Sequence, residues 1–127
     1  MGTASEVLHE PAEKLKPETI DLHRAIVSLQ EELEAFDWYR QRVDASTDPQ
    51  LRAILEHNMN EEVEHASMLL EWVRRHVPKF DETFKTYLFT EGDISELEDK
   101  NGAGEESQPA QTGHTKPRTT IGDMKGE

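Results

Sequence analysis

The segment Ser46-Thr47-Asp48-Pro49 constrains this chain more than any other, because helical periodicity runs long on both sides and only these residues separate the two stretches. Asp48 reads as a helix N-cap and Pro49 as a first helical residue, where its missing N–H is no loss. Upstream, Leu22, Ile26, Leu29, Leu33 and Phe36 recur at helical spacing. They predict a helix that starts near Pro11 or Pro17, both acceptable in a first turn, and runs to about Ala45. Downstream, Leu55, Met59, Val63, Ala66, Leu70, Val73 and Val77 form the apolar arc of a second helix, which continues to about His76 and stops before Pro78. So short a connection makes the two helices antiparallel neighbours. Beyond Pro78, the i, i+4, i+7, i+8 spacing of Phe80, Phe84, Tyr87 and Leu88 predicts a short third helix, broken by Glu91-Gly92-Asp93, with a last turn over Ile94 to Leu97. The fold class expected is all-α, a two-helix hairpin plus a short third helix.

Such a hairpin is poorly equipped to stand alone. With 127 residues, 34% of them apolar and 32% charged, a monomer lacks the material for a sufficient core. Oligomerisation is the usual remedy, and the absence of cysteine removes disulfides and thiolate metal sites. The N-terminal residues carry no signal-peptide pattern, and no run approaches the ~20 apolar residues that span a bilayer. The net charge of −13 argues against nucleic acid. That charge belongs wholly to residues 1–99, with 10 basic and 23 acidic groups; residues 100–127 are balanced. The expected organisation is a helical domain over 1–99, a Gly-, Ser-, Gln- and Pro-rich flexible linker over 100–118, and a small apolar-containing tag over 119–127.

The helical pattern breaks at one informative place. At roughly 100° per residue, Glu62 falls inside the apolar arc of the second helix, and Asn58 and His65 lie on its border. A carboxylate within a buried stripe costs several kcal/mol, on the order of 3–5, unless a cation or hydrogen bonds compensate it. His65, at i+3, can reach the same ion. On the first helix Glu32 sits at the edge of the apolar seam, and Tyr39 lies within roughly 20° of it. One Glu plus one Glu-x-x-His is half of the ligand set of ferritin-like di-iron bundles, and carboxylate with imidazole suits iron or manganese. The chain has no second copy of either helix, so the other half has to come from a second subunit. The bland alternatives are a bordering histidine, a solvated Glu31-Glu32-x-Glu34 run and a Tyr39 that simply packs. Glu31, Glu34 and Trp38 share another side, with Ile20 and Val27 nearby. That side reads either as a metal-access vestibule or as a further subunit contact. His23, His57 and His76 have no carboxylate at matching spacing on a buried side and read as surface residues. The roles of Glu61, Glu64 and Glu71 stay open.

The runs Ile26 to Tyr39, Arg42 to Pro49, Glu61-Glu62-x-Glu64-His65-Ala66 and Thr86 to Gly92 resemble the encapsulated ferritins over roughly residues 8–98. The resemblance implies a two-helix subunit that dimerises into a ferritin-like four-helix bundle and oxidises Fe²⁺ with O₂ at a di-iron centre shared across the dimer interface. It implies Glu32, Glu62 and His65 as iron ligands, Tyr39 beside the site, and Glu31, Glu34 and Trp38 along the access route, where other divalent cations can also bind. Dimers are expected to form a ring, usually a decamer, housed in the cytoplasm inside an encapsulin nanocompartment that stores the iron. Thr120 to Gly126 looks like the C-terminal peptide by which such cargo docks on the shell. The rival readings are a non-catalytic helical cargo or adaptor, and a rubrerythrin-like peroxidase.

Overall fold

The computed structural model describes residues 7–98. The linker and tail expected over 100–127 lie outside the described residues. Three α-helices carry the chain: α1 over Pro17–Ala45, α2 over Pro49–His76 and α3 over Pro78–Tyr87. Of the two candidate starts for α1, Pro17 is the one used. Pro11 opens only a 3₁₀ turn, Ala12–Lys14, and the chain is extended again at Leu15. Pro17 takes the first-turn position of α1 after an extended Lys16, so its fixed φ is already helical.

The elbow between α1 and α2 forms as its sequence dictates. Ser46 turns extended while its N–H still donates to the Arg42 carbonyl. The Asp48 carboxylate then accepts from the Gln50 N–H at 3.1 Å, capping α2 with Pro49 in its first turn. Such a cap contributes about 1 kcal/mol. At the other end of α2 a single residue makes the break. Val77 is extended, as steric conflict with a following proline requires, and α3 begins at once with Pro78. Arg74, Arg75 and His76 fill the last turn of α2, where positive charge suits the helix dipole.

The described residues divide into two compact units, 7–80 and 81–98. In the first, α1 packs along α2. The buried line of this hairpin consists of Ala25, Val43, Ala66 and Val73, and no large side chain is fully buried among the described residues. Small residues let the helices approach, but they remove little apolar surface from water. Much of that surface remains exposed, and it lies on both flanks of α2. Val63 and Leu70 lie beside the buried line on one side and Ile54 beyond it on the other, while Met68 faces roughly away from it. Leu33 on α1 is exposed as well, although it sits in the predicted apolar seam. His23 differs from its reading as a surface residue: it is half-buried.

In the second unit, Leu97 is buried and Phe89 is fully exposed. Phe89 has φ of 59° and Gly92 φ of 94°, so the backbone turns left-handed twice after α3. Asp93 then accepts from the Ser95 N–H at 3.0 Å and caps a 3₁₀ turn over Ile94–Glu96. Among the described residues no helix is long and apolar enough to cross a membrane.

Candidate metal centre

Glu32 projects from the middle of α1, and Glu62 and His65 project from the middle of α2. Antiparallel packing brings these positions level although 30 residues or more separate them in sequence. One ligand atom from each lies within 4.8 Å of the others, the only such group of three or more metal-type side chains among the described residues. The His65 Nδ1 is 3.3 Å from a Glu32 oxygen and 3.3 Å from a Glu62 oxygen. One imidazole nitrogen thus faces two carboxylates at once.

Exposure grades across the trio. The Glu62 side chain is 17% exposed and His65 41%, with Glu32 at 27%. Glu62 is the most enclosed, as its place within the apolar arc predicts. Among the described residues neither carboxylate pairs with a lysine or arginine. The electrostatics register that deficit. A hydrogen bond with Glu62 raises the Glu32 pKa above the ordinary carboxylate value, and burial adds to the rise; His65 opposes both. The imidazole of His65 is raised in turn, chiefly by its hydrogen bond to Glu62, with Glu32 helping and burial working against it. Two acids and a base crowd around a place that lacks positive charge. A divalent cation would supply the missing positive charge to all three groups. Oxygen and nitrogen donors with no sulfur suit iron or manganese.

The residues left open in the sequence now separate. Glu61 places an oxygen 3.9 Å from the His65 Nε2. Its other oxygen is 3.8 Å from the His57 Nε2, an exposed i, i+4 pair passed over because neither residue lies on a buried side. The i, i+4 spacing of Glu61 and His65 is legible in the sequence, but it does not show which of two neighbouring glutamates the ring meets. Glu71 is committed elsewhere, accepting from Arg74 Nε at 2.9 Å and Arg75 Nε at 2.7 Å. Glu64 is exposed. Glu31, Glu34 and Trp38 are not part of the trio: Glu34 is half-buried, and Glu31 and Trp38 are exposed. Tyr39 is half-buried, and the Arg42 guanidinium lies 5.4 Å from its ring centre.

A family model described as EncFtn-like matches residues 7–91, a span that contains the whole trio. The chain belongs to the EncFtn-like family. The "Encapsulated ferritin-like protein" of Rhodospirillum rubrum is 53% identical over 131 residues, covering 100% of this chain and 94% of that protein. The "Encapsulin nanocompartment cargo protein EncC" of Myxococcus xanthus is 32% identical over 112 residues, covering 83% of this chain and 85% of its own. Among solved structures, the crystal structure of protein ne0167 from Nitrosomonas europaea is 58% identical with a TM-score of 0.67, covering 69% of this chain and 97% of that one. The all-helical EncFtn-like fold is thus supported by the family match, the relatives and the solved structure together.

Proposed function

We propose that this chain is a ferroxidase subunit that takes Fe²⁺ as substrate and oxidises it to Fe³⁺ at a di-iron centre completed by a second copy of itself. The observation that carries the reading is the trio itself. Three ligand atoms of Glu32, Glu62 and His65 lie within 4.8 Å of one another. One chain offers one such set, and two irons need two. The hairpin supports pairing independently, because its thin buried line leaves apolar side chains exposed on both flanks. One flank, with Ile54, lies on the same side of α2 as His65, so a second copy covering it faces the trio. The other, with Val63 and Leu70, remains for a different neighbour, the requirement for a ring built of dimers.

In this reading each Fe²⁺ gives up one electron, and two irons held side by side supply the electron pair that O₂ accepts. Carboxylates suit that change because they tolerate a shift of ligation as the charge on iron rises. Glu31 and Glu34, with Trp38 beside them, line the access route, where other divalent cations bind as well. Tyr39 stands beside the centre. The oligomer is proposed as a ring, a decamer, held inside an encapsulin shell through the tail around Ile121 and Met124. The names borne by the Rhodospirillum and Myxococcus relatives, one encapsulated and one a nanocompartment cargo, support residence inside such a shell, which is proposed to lie in the cytoplasm.

The test is anaerobic addition of Fe²⁺ followed by air, comparing the native chain with Glu62→Ala and His65→Ala. Oxidation in both variants at the native rate would sink the assignment. Dilution provides a second check, because a monomer fully active at low concentration is incompatible with a shared site.

A further inference from the structure

His57, Glu61 and His65 stand four residues apart on α2, a spacing that sets successive side chains one above another on a helix. The three form a ladder. One Glu61 oxygen lies 3.8 Å from the His57 Nε2, and the other lies 3.9 Å from the His65 Nε2. Side-chain exposure falls along it, from 72% at His57 through 47% at Glu61 to 41% at His65. Only the last rung belongs to the trio. Glu61 therefore touches the candidate centre from outside, through the far side of the imidazole.

The His65 ring is thus bracketed by carboxylates. Its Nδ1 faces Glu32 and Glu62, each at 3.3 Å, and its Nε2 faces Glu61. A neutral imidazole has one N–H and one lone pair, and only the lone pair can hold a metal. The nitrogen that has to offer it is Nδ1, the one turned toward the other two ligands. Those two carboxylates are also acceptors, however, and by themselves they favour keeping the hydrogen on Nδ1. An acceptor beside the opposite nitrogen reverses that preference, because the hydrogen then sits on Nε2. The same contact opposes a half-turn of the ring, which would put carbon atoms where both nitrogens now stand. At 3.9 Å the Glu61 oxygen is at ion-pair distance, short of a hydrogen bond, and a small turn about the glutamate's own single bonds closes the gap. His57, meeting the second oxygen, keeps the carboxylate on this edge of α2.

We propose that Glu61 positions His65: it accepts from the Nε2–H and so presents the Nδ1 lone pair to the iron held by Glu32 and Glu62. The inference rests on the reading of His65 as an iron ligand, and adds to it the residue that orients that ligand. Glu61 itself is not a ligand in this arrangement. Partners of this kind change metal affinity by roughly 10- to 100-fold when removed, because they fix both the ring and the nitrogen that carries the hydrogen.

The experiment uses the full chain, with titration calorimetry of Fe²⁺ under argon and ¹⁵N NMR of the histidine rings after loading with Zn²⁺, a diamagnetic stand-in. Glu61→Ala is expected to weaken Fe²⁺ binding by roughly 10- to 100-fold. Glu61→Gln keeps an oxygen that can accept from Nε2–H while losing the charge, and should recover most of that affinity. The His65 Nε2–H signal is expected in the native and Glu61→Gln chains and should be lost to exchange with water in Glu61→Ala. The melting temperature should hardly move, since so exposed a pair adds little to stability. The number of Fe²⁺ bound at saturation should not change. Native affinity in Glu61→Ala overturns the proposal. So does a Glu61→Gln chain as impaired as Glu61→Ala, because Glu61 then acts by charge alone. A lower saturation count in Glu61→Ala also overturns it, since Glu61 would then be a ligand in its own right. His65→Ala separates the two ideas. If it binds Fe²⁺ as tightly as the native chain, the metal reading itself fails; if it is impaired and Glu61→Ala is not, only the orienting role falls.

Discussion

Two acidic clusters on α2, nine residues apart, receive opposite treatment. Around Glu62 the chain gathers a second carboxylate, from Glu32, and only an imidazole to meet them. Around Glu71 it gathers two guanidiniums, with Arg74 bonding both carboxylate oxygens at 2.9 and 2.8 Å and Arg75 adding a third bond. Consequently the Glu71 pKa falls to about 2, driven first by Arg74 and then Arg75, whereas that of Glu32 rises. The first cluster is left short of positive charge, and the second is complete. A count of acidic residues could not distinguish them; only the partners do. A metal is useful where the protein has withheld its own cations, and the charge of Glu71 is already met by Arg74 and Arg75.

The sharpest way to break the contrast is to make the first cluster resemble the second. His65→Arg supplies Glu32 and Glu62 with a fixed positive charge. Fe²⁺ affinity is expected to fall by about 100-fold or more, since a guanidinium cannot ligate iron and repels it. In the same variant the metal-free protein should melt higher by a few degrees, roughly the effect of 0.5–1 kcal/mol in a small domain. Isothermal titration with Fe²⁺ under argon and a melt in chelator check both halves; tight binding in His65→Arg refutes the ligand assignment.

A milder perturbation leaves the trio intact and alters its approach. Glu31→Gln with Glu34→Gln is expected to slow the initial rate of iron oxidation several-fold, roughly three- to tenfold, as attraction of the cation weakens. The number of Fe²⁺ bound at saturation should not change. Stopped-flow traces at low and high salt distinguish this from damage to the centre, because the effect of the lost charges shrinks as salt screens them.

The smallest effect is expected at the completed cluster. Glu71→Gln should cost at most about 1 kcal/mol at neutral pH, since the side chains involved are well exposed and the ion pairs are screened. Its pH dependence has a definite sign. The folded-state pKa lies below the ordinary glutamate value of 4.5, so the stabilisation is fully present above that value and is lost as pH falls toward about 2. Native and Glu71→Gln melting curves should therefore converge as the pH falls below 4.5. Iron oxidation should be unaffected throughout, and a large loss of activity in Glu71→Gln contradicts the division between the clusters.

Much of this architecture can be read from local chemistry. Asp48-Pro49 and Pro78 set helix boundaries because capping and the missing proline N–H act within a few residues. Glu62 betrayed itself by its direction around α2, a property that needs only helical geometry. Other features depend on choices that spacing leaves open. Glu71 has Arg74 at i+3 and Arg75 at i+4, and both turned toward it; His65 has Glu61 at i−4 and Glu62 at i−3, and its two ring nitrogens divide between them. Pro11 and Pro17 were equally good helix starts, and only the extended Leu15 decides between them. No propensity predicts a left-handed phenylalanine, so Phe89 was invisible beforehand except as one more apolar residue. Leu33 in the seam of α1, and Val63 and Leu70 in the apolar arc of α2, are exposed because the single hairpin does not cover them.

The thin buried line of the hairpin, Ala25, Val43, Ala66 and Val73, has a consequence for the life of the protein in a cell. A subunit so lightly packed visits open states often, and open states are what proteases cut. Chains that fail to find one another are then cleared first, while those that associate are protected by mass action. If the chains pair as proposed, abundance of the oligomer would follow synthesis more steeply than in simple proportion. Turnover of orphans would then keep half-built metal centres scarce.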